Sequence, residues 1–451
     1  MDIIVKRNDG RIKEATIEAI SSKSYVHRLM IAAGLSRDSV LVMTNTVSKD
    51  MEATAGCIRA LGAEVTQTGD GYRVVSPVKK GVEAELSCRE SGSTARFILP
   101  VAAYLTSGND KNITLVGEGK LPERPFGPLC EALRSGGTKV SDDFLPITVS
   151  GGLSSGHYTL PGDVSSQYVS GMLFALPMAN GSSVLELTSH VESVGYINMT
   201  LEVLKEFGIE IKTEVLSGED GVFMRFNIPG GQSYKHPGKK RIQAEGDWSN
   251  GAFVMAMGVL NGNLKITGLN TESIQGDRAA ADIYKAFGAS IEKEADASLK
   301  ISKGELKATE IDASQIPDLV PALAVVAAFA EGDTRICNVE RLKIKESDRI
   351  ETVSALLKAA GVDCLTEESN REDGSLKIDM IVKGSPDKLS KATEMITVDG
   401  ANDHRIVMAA AILASGINAP VKICGAQAVS KSYPEFFTMC EYNLGMNIER
   451  I

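Results

Sequence analysis

A pattern of helix, strand, helix and strand runs six times along this chain, and it restricts the fold more than any single motif does. The first copy reads SKSYVHRLMIAAGL, then SVLVMTNTV, then DMEATAGCIRALG, then AEVTQ, with helical periodicity giving way to strand-like apolar runs. Its second helix returns as FGPLCEALRSGG, YINMTLEVLKEFG, DRAAADIYKAFG, DRIETVSALLKAAG and YPEFFTMCEYNLG. Each ends on a glycine: Gly62, Gly137, Gly208, Gly288, Gly361 and Gly445, spaced by 75, 71, 80, 73 and 84 residues. A helix that stops by entering the left-handed region needs a residue without Cβ there, so the glycines read as C-caps.

The strands between the helices, NITLVG, SVLEL, NLKITG, DTRICNV and PVKICG, supply apolar faces that one such unit cannot bury alone. The expected class is therefore α/β, with three units packed together in each of two domains. The sixth unit is expected to end without its closing strand, and Met1–Asp9 to supply a spare one, which brings the termini into the same domain. This predicts a discontinuous domain, 1–20 plus 238–451, and an inserted domain, 21–237. The crossings fall near Ile20–Lys23 and in IPGGQSYKHPGKK at 228–240, where glycine and proline break both periodicities. A nucleotide-binding fold is not indicated, because no GxGxxG follows a strand and no GxxxxGK[ST] occurs.

With 451 residues, 43% of them hydrophobic, the chain has ample material for two cores, and its net charge of -10 argues against nucleic acid or an acidic membrane as partner. The longest apolar stretch, LVPALAVVAAFA at 319–330, falls short of the roughly 20 residues that a membrane helix needs. MDIIVKRNDG reads as a strand, not a signal peptide. Seven cysteines, at 57, 88, 130, 337, 364, 424 and 440, form no CxxC pair and read as mostly core residues in a reducing compartment. The five histidines form no HExxH and no tight His/Cys/Asp set, so no metal is expected.

Chemistry is expected at the starts of the first helices: SSKSYVHR, ESGSTAR, VSSQ, GDWSN, IPD and NDHR. Helix starts present free N–H groups and a positive dipole end to an anion, although a serine there is also an ordinary cap. Basic side chains accompany them. Lys23, Ser24 and Arg28 share the first start, and Arg96 stands beside Ser93. Arg124 lies between Pro122 and Pro125, which restrict its backbone. RLKIKESDRI gathers Arg341, Lys343, Lys345, Glu346, Asp348 and Arg349 between a strand and a helix, where a solvated charge run is the alternative. Asp318 opens an apolar helix, Asp403, His404 and Arg405 repeat the arrangement, and Lys431 opens KSYPEFF. Cations that hold phosphate and carboxylate beside carboxylates that move protons suit small phosphorylated metabolites.

SKSYVHR at 22–28, ESGSTARF at 90–97, LPERP at 121–125, SSQY at 165–168, EGDWSN at 245–250, IPD at 316–318, KESDRI at 345–350, NDHR at 402–405 and SKSYPEFF at 430–437 together resemble the 5-enolpyruvylshikimate-3-phosphate synthase family over nearly the full chain. The resemblance implies a two-domain inside-out α/β barrel of six repeats that closes a cleft over shikimate-3-phosphate and phosphoenolpyruvate. It implies a cytoplasmic, monomeric enzyme without a cofactor, working by addition and elimination. Lys23, Ser24, Arg28, Ser165, Ser166, Gln167, Ser193 and Lys345 are expected to hold shikimate-3-phosphate, Lys23 reaching phosphoenolpyruvate as well. Arg124 and Lys431 are expected on the phosphate of phosphoenolpyruvate, Arg349 and Arg405 on its carboxylate, and Gly92 close beside it. Asp318, Glu346 and Lys23 are the implied catalytic residues, with Asp318 acting on the 5-hydroxyl and Glu346 on the enol carbon. Glu90-Ser91-Gly92-Ser93 departs from the N-A-G-T type segment of the family, while Gly92 keeps the small residue that implies inhibition by glyphosate in competition with phosphoenolpyruvate. The rivals are UDP-N-acetylglucosamine enolpyruvyl transferase, where asparagine usually follows the first lysine instead of Ser24, and a non-catalytic anion sensor, for which Asp318 and Glu346 have no use.

Overall fold

The six first helices are apolar around nearly their whole circumference, and such a helix is stable only where every face is covered. The computed structural model, which describes residues 1–7, 14–218, 221–236, 238, 240–371 and 374–451, buries them accordingly. They are Lys23–Leu35, Gly92–Leu105, Ser166–Ala175, Trp248–Asn261, Val320–Ala328 and His404–Gly416. Every residue from Trp248 to Leu260 is buried. The second helices bury one stripe only: Arg349–Ala359 turns Ile350, Val353, Leu356 and Leu357 inward. The glycines that follow the second helices, Gly62, Gly137, Gly208, Gly288, Gly361 and Gly445, all have positive φ, from 70° to 109°, as their reading as C-caps requires.

The strands form six four-stranded sheets, each combining a parallel pair with antiparallel pairs, which include a hairpin in five of them and join strands from the two ends of the chain in the sixth. In one, Ala84–Ser87 runs parallel to Ile113–Val116, which pairs antiparallel with Ile147–Ser150, whose other neighbour is Lys139–Val140. The repeat is thus richer than the expected helix-strand-helix-strand order. Two short strands per unit escape a periodicity search because pieces such as Lys139–Val140 span too few residues to alternate.

The chain divides into two units, Met1–Ile20 with Glu245–Ile451, and Ser21–Ala244. Each has its own apolar core. The first crossing lies between Ile20 and Ser21. The second lies beyond the expected 237/238, because Arg241–Gln243 pairs parallel with Val40–Met43 inside the inserted unit. Its counterpart Ala15–Glu18 pairs parallel with Leu264–Thr267 in the discontinuous unit. Each crossing therefore follows a strand that completes the sheet of a distant repeat. The sixth unit does have a closing strand, contrary to expectation: Asn447–Arg450 pairs antiparallel with Ile3–Lys6, whose other edge pairs with Val421–Cys424. Four residues with only Ile448 buried carry too little pattern to be recognised. Asn8 and Asp9 of the expected spare strand, and Pro237 and Lys239 of the expected crossing, lie outside the described residues.

Among the described residues no helix is long and apolar enough to cross a membrane. All seven cysteines are free thiols, five of them buried, as their reading as core residues predicts.

Candidate active site

In the inserted unit the three central helices begin at serines whose side chains accept a backbone N–H: Ser22 from Tyr25, Ser91 from Thr94 and Ser165 from Gln167. A neutral cap satisfies one orphan donor and leaves the positive end of the helix uncompensated. Around these starts stand the expected ligands. Arg28 is 1% exposed, and its guanidinium donates to Thr200 Oγ1 at 2.8 Å, the Ser24 carbonyl at 2.8 Å and the Tyr196 carbonyl at 2.9 Å. The Phe97 ring lies 4.8 Å from it. Every one of these partners is neutral, and burial pushes the Arg28 pKa down to about 10. Lys23 is answered by Asp50, its Nζ donating to Oδ2 at 2.8 Å.

Gln167 joins two helix starts, donating to Ser93 Oγ at 2.9 Å and accepting from Arg96 at 2.8 Å. The Arg96 guanidinium lies over Phe126 and Tyr168, and the Tyr168 hydroxyl donates to the carbonyl of Pro125, next to Arg124. Arg124 itself leans on Gly92, where an added Cβ would come within 2.7 Å of its Nη1 and 3.0 Å of the Arg96 Nη1. Glu90, the departure from the family pattern, turns its carboxylate onto Gly119. Ser166 and Ser193 are buried. Ser193 occupies the left-handed region at φ 55°, a strain of about 1–3 kcal/mol that a non-glycine residue bears only where the surroundings enforce it.

In the discontinuous unit the expected residues form one connected network. Asp318 Oδ1 accepts from Arg349 Nη1 at 2.8 Å and lies 3.2 Å from Lys345 Nζ. Arg349 grips Asp403 with both Nε and Nη2, at 2.8 and 3.1 Å. Asp403, wholly buried, also accepts from Ser347 Oγ and from the Arg405 backbone N–H, capping the helix that carries Arg405. His404 Nδ1 sits 2.9 Å from Glu346 Oε2, and Lys431 Nζ donates to the Asn402 carbonyl while lying 3.9 Å from Glu346. Arg405, 4% exposed, is held by the Ser249 carbonyl and hydroxyl and by the Phe253 ring. Among the described residues neither Arg28 nor Arg405 has a carboxylate within ion-pair distance. Each is a buried cation surrounded by neutral acceptors, an arrangement that an incoming anion completes.

Burial favours the neutral acid at Asp318, yet Lys345, Arg349 and Arg405 outweigh it and hold the carboxyl well below the usual range. Burial pushes Lys345 down to about 8, against the pull of Asp318. At Arg349 the carboxylates of Asp403 and Asp318 overcome burial and raise its pKa. Glu346, Asp403 and His404 bring ligand-type atoms within 4.8 Å of one another. Their charge is already met by cations, since Arg349 takes both Asp403 oxygens and Lys431 stands by Glu346. These neighbours do not fit a divalent ion, which would meet two positive charges at once.

Of the residues singled out in the sequence, Lys23, Ser24, Arg28, Gly92, Arg124, Ser165, Ser166, Gln167 and Ser193 belong to the inserted unit, and Asp318, Lys345, Glu346, Arg349, Arg405 and Lys431 to the other. Sequence reasoning placed Asp403 only at a helix start, without its grip on Arg349, and gave no role to Asp50, Ser249 or Asn250, although the EGDWSN segment contains the last two. Asp50 carries no signal beyond a place in the first turn of a helix.

A family model described as EPSP synthase (3-phosphoshikimate 1-carboxyvinyltransferase) matches residues 8–439. Curated relatives include a 3-phosphoshikimate 1-carboxyvinyltransferase of Clostridium acetobutylicum, 38% identical over 424 residues and 92% of each chain. Another of that name, from Clostridium novyi, is 36% identical over 428 residues, again 92% of each chain. Among solved structures, an EPSP synthase from Acinetobacter baumannii superposes with a TM-score of 0.76 at 21% identity over 100% of both chains. The enolpyruvyl transferase NikO from Streptomyces tendae gives 0.74 at 16% identity, over 99% of this chain and 98% of its own.

Proposed function

Because the chain belongs to the EPSP synthase family, we propose that it transfers the enolpyruvyl group of phosphoenolpyruvate to the 5-hydroxyl of shikimate-3-phosphate, releasing phosphate, as a step toward chorismate. The fold is the two-domain inside-out α/β fold of that family. One observation carries the chemical reading: two partly exposed acids, Asp318 and Glu346, stand in a network with Lys345, Arg349 and Lys431, beside the buried Arg405. A site that only bound anions would gain nothing from those carboxylates.

In this reading Lys23, Ser24, Arg28, Ser165, Ser166, Gln167, Ser193 and Lys345 hold shikimate-3-phosphate. Arg349 and Arg405 take the carboxylate of phosphoenolpyruvate. Arg124, Lys431 and Lys23 meet its phosphate, with Gly92 close by. Glu346 delivers a proton to C3 of phosphoenolpyruvate, which makes C2 electrophilic. The 5-hydroxyl oxygen bonds to C2 as its proton passes to Asp318. The C2–O bond to phosphate then breaks while a C3 proton returns to the enzyme, restoring the double bond in the enolpyruvyl ether.

A carboxylate held down by three cations is a poor base until those cations are engaged elsewhere. The two substrates supply the remedy: a carboxylate on Arg349 and Arg405, and shikimate-3-phosphate at Lys345, withdraw positive potential from Asp318 and raise its basicity when it is needed. Seven free thiols support placing the enzyme in the cytoplasm, and the self-contained catalytic set supports a monomer.

Phosphate release measured with phosphoenolpyruvate plus shikimate-3-phosphate, beside phosphoenolpyruvate plus UDP-N-acetylglucosamine, tests the assignment. Turnover is expected with the first pair only. Turnover with the second pair alone would move the acceptor, and none with either would favour the anion sensor.

A further inference from the structure

The EGDWSN segment at 245–250 contains no residue assigned to either substrate, yet the helix start it forms is unusually well fixed. Asp247 caps it by accepting the Asn250 N–H at 2.7 Å. The Trp248 N–H donates to Gln275 Oε1 at 3.2 Å, and its indole N–H donates to the Asn270 carbonyl at 2.8 Å. What this rigid start presents are two consecutive polar side chains, both buried: Ser249 at 8% and Asn250 at 1% exposure.

They lead to different cations. Ser249 receives the Arg405 guanidinium twice, Nη2 on its hydroxyl at 2.6 Å and Nη1 on its carbonyl at 3.1 Å. Phe253, one turn further along the same helix, supplies the ring face 5.2 Å from that guanidinium. Asn250 Nδ2 donates at 2.9 Å to the hydroxyl of Ser432, which is wholly buried and follows Lys431 directly. Lys431 is fixed at its other end, Nζ donating to the Asn402 carbonyl at 2.6 Å. We infer that Ser249 and Asn250 are positioning residues for phosphoenolpyruvate, Ser249 aiming Arg405 at the carboxylate and Asn250 setting Lys431 for the phosphate. The inference rests on the preceding functional reading and adds that one helix start fixes the two ends of this substrate separately.

A long side chain with a planar fork loses rotamer freedom when it binds, and that loss is smaller when a hydroxyl and a ring already hold it in place. Acting through Arg405 and Ser432, Ser249 and Asn250 should affect the substrate's affinity and not the chemical step. Ser249→Ala is expected to raise KM for phosphoenolpyruvate about tenfold, the order for a hydrogen bond to a charged group. It should leave kcat and KM for shikimate-3-phosphate within about twofold. Ser249→Thr, which keeps the hydroxyl, should recover most of the loss. In an Arg405→Lys background, Ser249→Ala should add little, since the two act through one contact.

The ends are told apart by product inhibition. Asn250→Ala should weaken inhibition by inorganic phosphate in step with its KM for phosphoenolpyruvate, whereas Ser249→Ala should leave phosphate inhibition unchanged. These outcomes, with melting temperatures near wild type, establish the inference. An active wild type whose Ser249→Ala variant raises both KM values together, adds fully to Arg405→Lys, or is not rescued by threonine overturns it while the functional reading stands. Phosphate inhibition untouched by Asn250→Ala overturns the Asn250 half. A wild type inactive with phosphoenolpyruvate and shikimate-3-phosphate rejects the functional reading, and the inference falls with it.

Discussion

Lys345 holds its charge insecurely near neutral pH, because burial brings it down to about 8 despite the Asp318 carboxylate 3.2 Å away. As pH rises through that value the ammonium loses its proton, so kcat/KM for shikimate-3-phosphate is expected to fall along a limb centred near 8. Lys345→Arg should flatten the limb, since a guanidinium stays charged. Stability moves the other way. The folded pKa lies below the ordinary lysine value of 10.5, so between the two the unfolded chain holds more protons, and this group's contribution to stability grows as pH rises. A pH titration that shows falling activity with undiminished melting temperature separates the site effect from unfolding. Gly92 gives a second test. Its Cβ would press the ends of two flexible side chains, Arg124 and Arg96, and not backbone. Gly92→Ala should therefore fold normally but raise KM for phosphoenolpyruvate several-fold, on the order of 1 kcal/mol; steady-state kinetics beside a thermal melt would decide. Much of this chemistry was legible, since lysines, arginines and acids at helix starts announce themselves by type and place. Asp50 and Ser249 did not, because each acts through a contact with a charged group on another element, and spacing along the chain does not reveal such a contact.

The elements divide the labour by the chemistry of their first residues. Central helices of the inserted unit start on serines, while in the other unit two of the three start on Asp247 and Asp403. A carboxylate cap neutralises the helix end and, at Asp403, also holds Arg349, so positive charge there is carried by side chains and not by the backbone. What links two of the serine-capped helices, through Thr54 on the second helix Lys49–Ala60, is a buried chain of polar groups. His27 Nδ1 lies 2.6 Å from Thr54 Oγ1, Thr54 lies 2.7 Å from Thr94 Oγ1, and Thr94 donates to Ser91 Oγ at 2.8 Å. Thr54→Val keeps the shape and removes the link, leaving His27 Nδ1 without its partner and Thr94 with only its bond to Ser91; chemical denaturation should report a loss of about 1–3 kcal/mol. Burial, with Lys23 and Arg28 adding to it, holds the His27 pKa well below 6.5, so this residue's share of stability is present above pH 6.5 and is lost as the unfolded chain protonates below it. His27→Gln should remove that part of the slope between about pH 6.5 and 5, above the range where carboxylates titrate. The second helices and their glycine stops were legible because amphipathic period and C-cap chemistry are local. The hairpin strands were not, as two to four residues on a sheet edge are defined by their neighbours.

For the molecule as a whole, the decisive feature is how the chain enters and leaves the inserted unit. Each of the two crossings is preceded by a strand that completes a sheet belonging to a distant repeat, Ala15–Glu18 against Leu264–Thr267 and Arg241–Gln243 against Val40–Met43. Neither partnership could be read from sequence, because the pattern places each strand beside the helix that follows it and not beside a strand some 200 residues away. The consequence is testable. Ser21–Ala244 is continuous, contains three complete four-stranded sheets and owns a separate apolar core. Expressed alone, it should fold and unfold in one cooperative transition. A fragment ending at residue 237, where composition alone suggested the crossing, lacks Arg241–Gln243. It leaves the Val40–Met43 edge unpaired, three of whose four residues are buried in the intact unit. An open apolar edge pairs with other chains. The shorter fragment is thus expected to melt at lower temperature and to associate at concentrations where the longer one stays monomeric. Light scattering and thermal unfolding of the two fragments decide the matter: equal behaviour would mean that the strand from the second crossing contributes nothing to the unit it joins, and the division of the molecule would have to be redrawn at the earlier position.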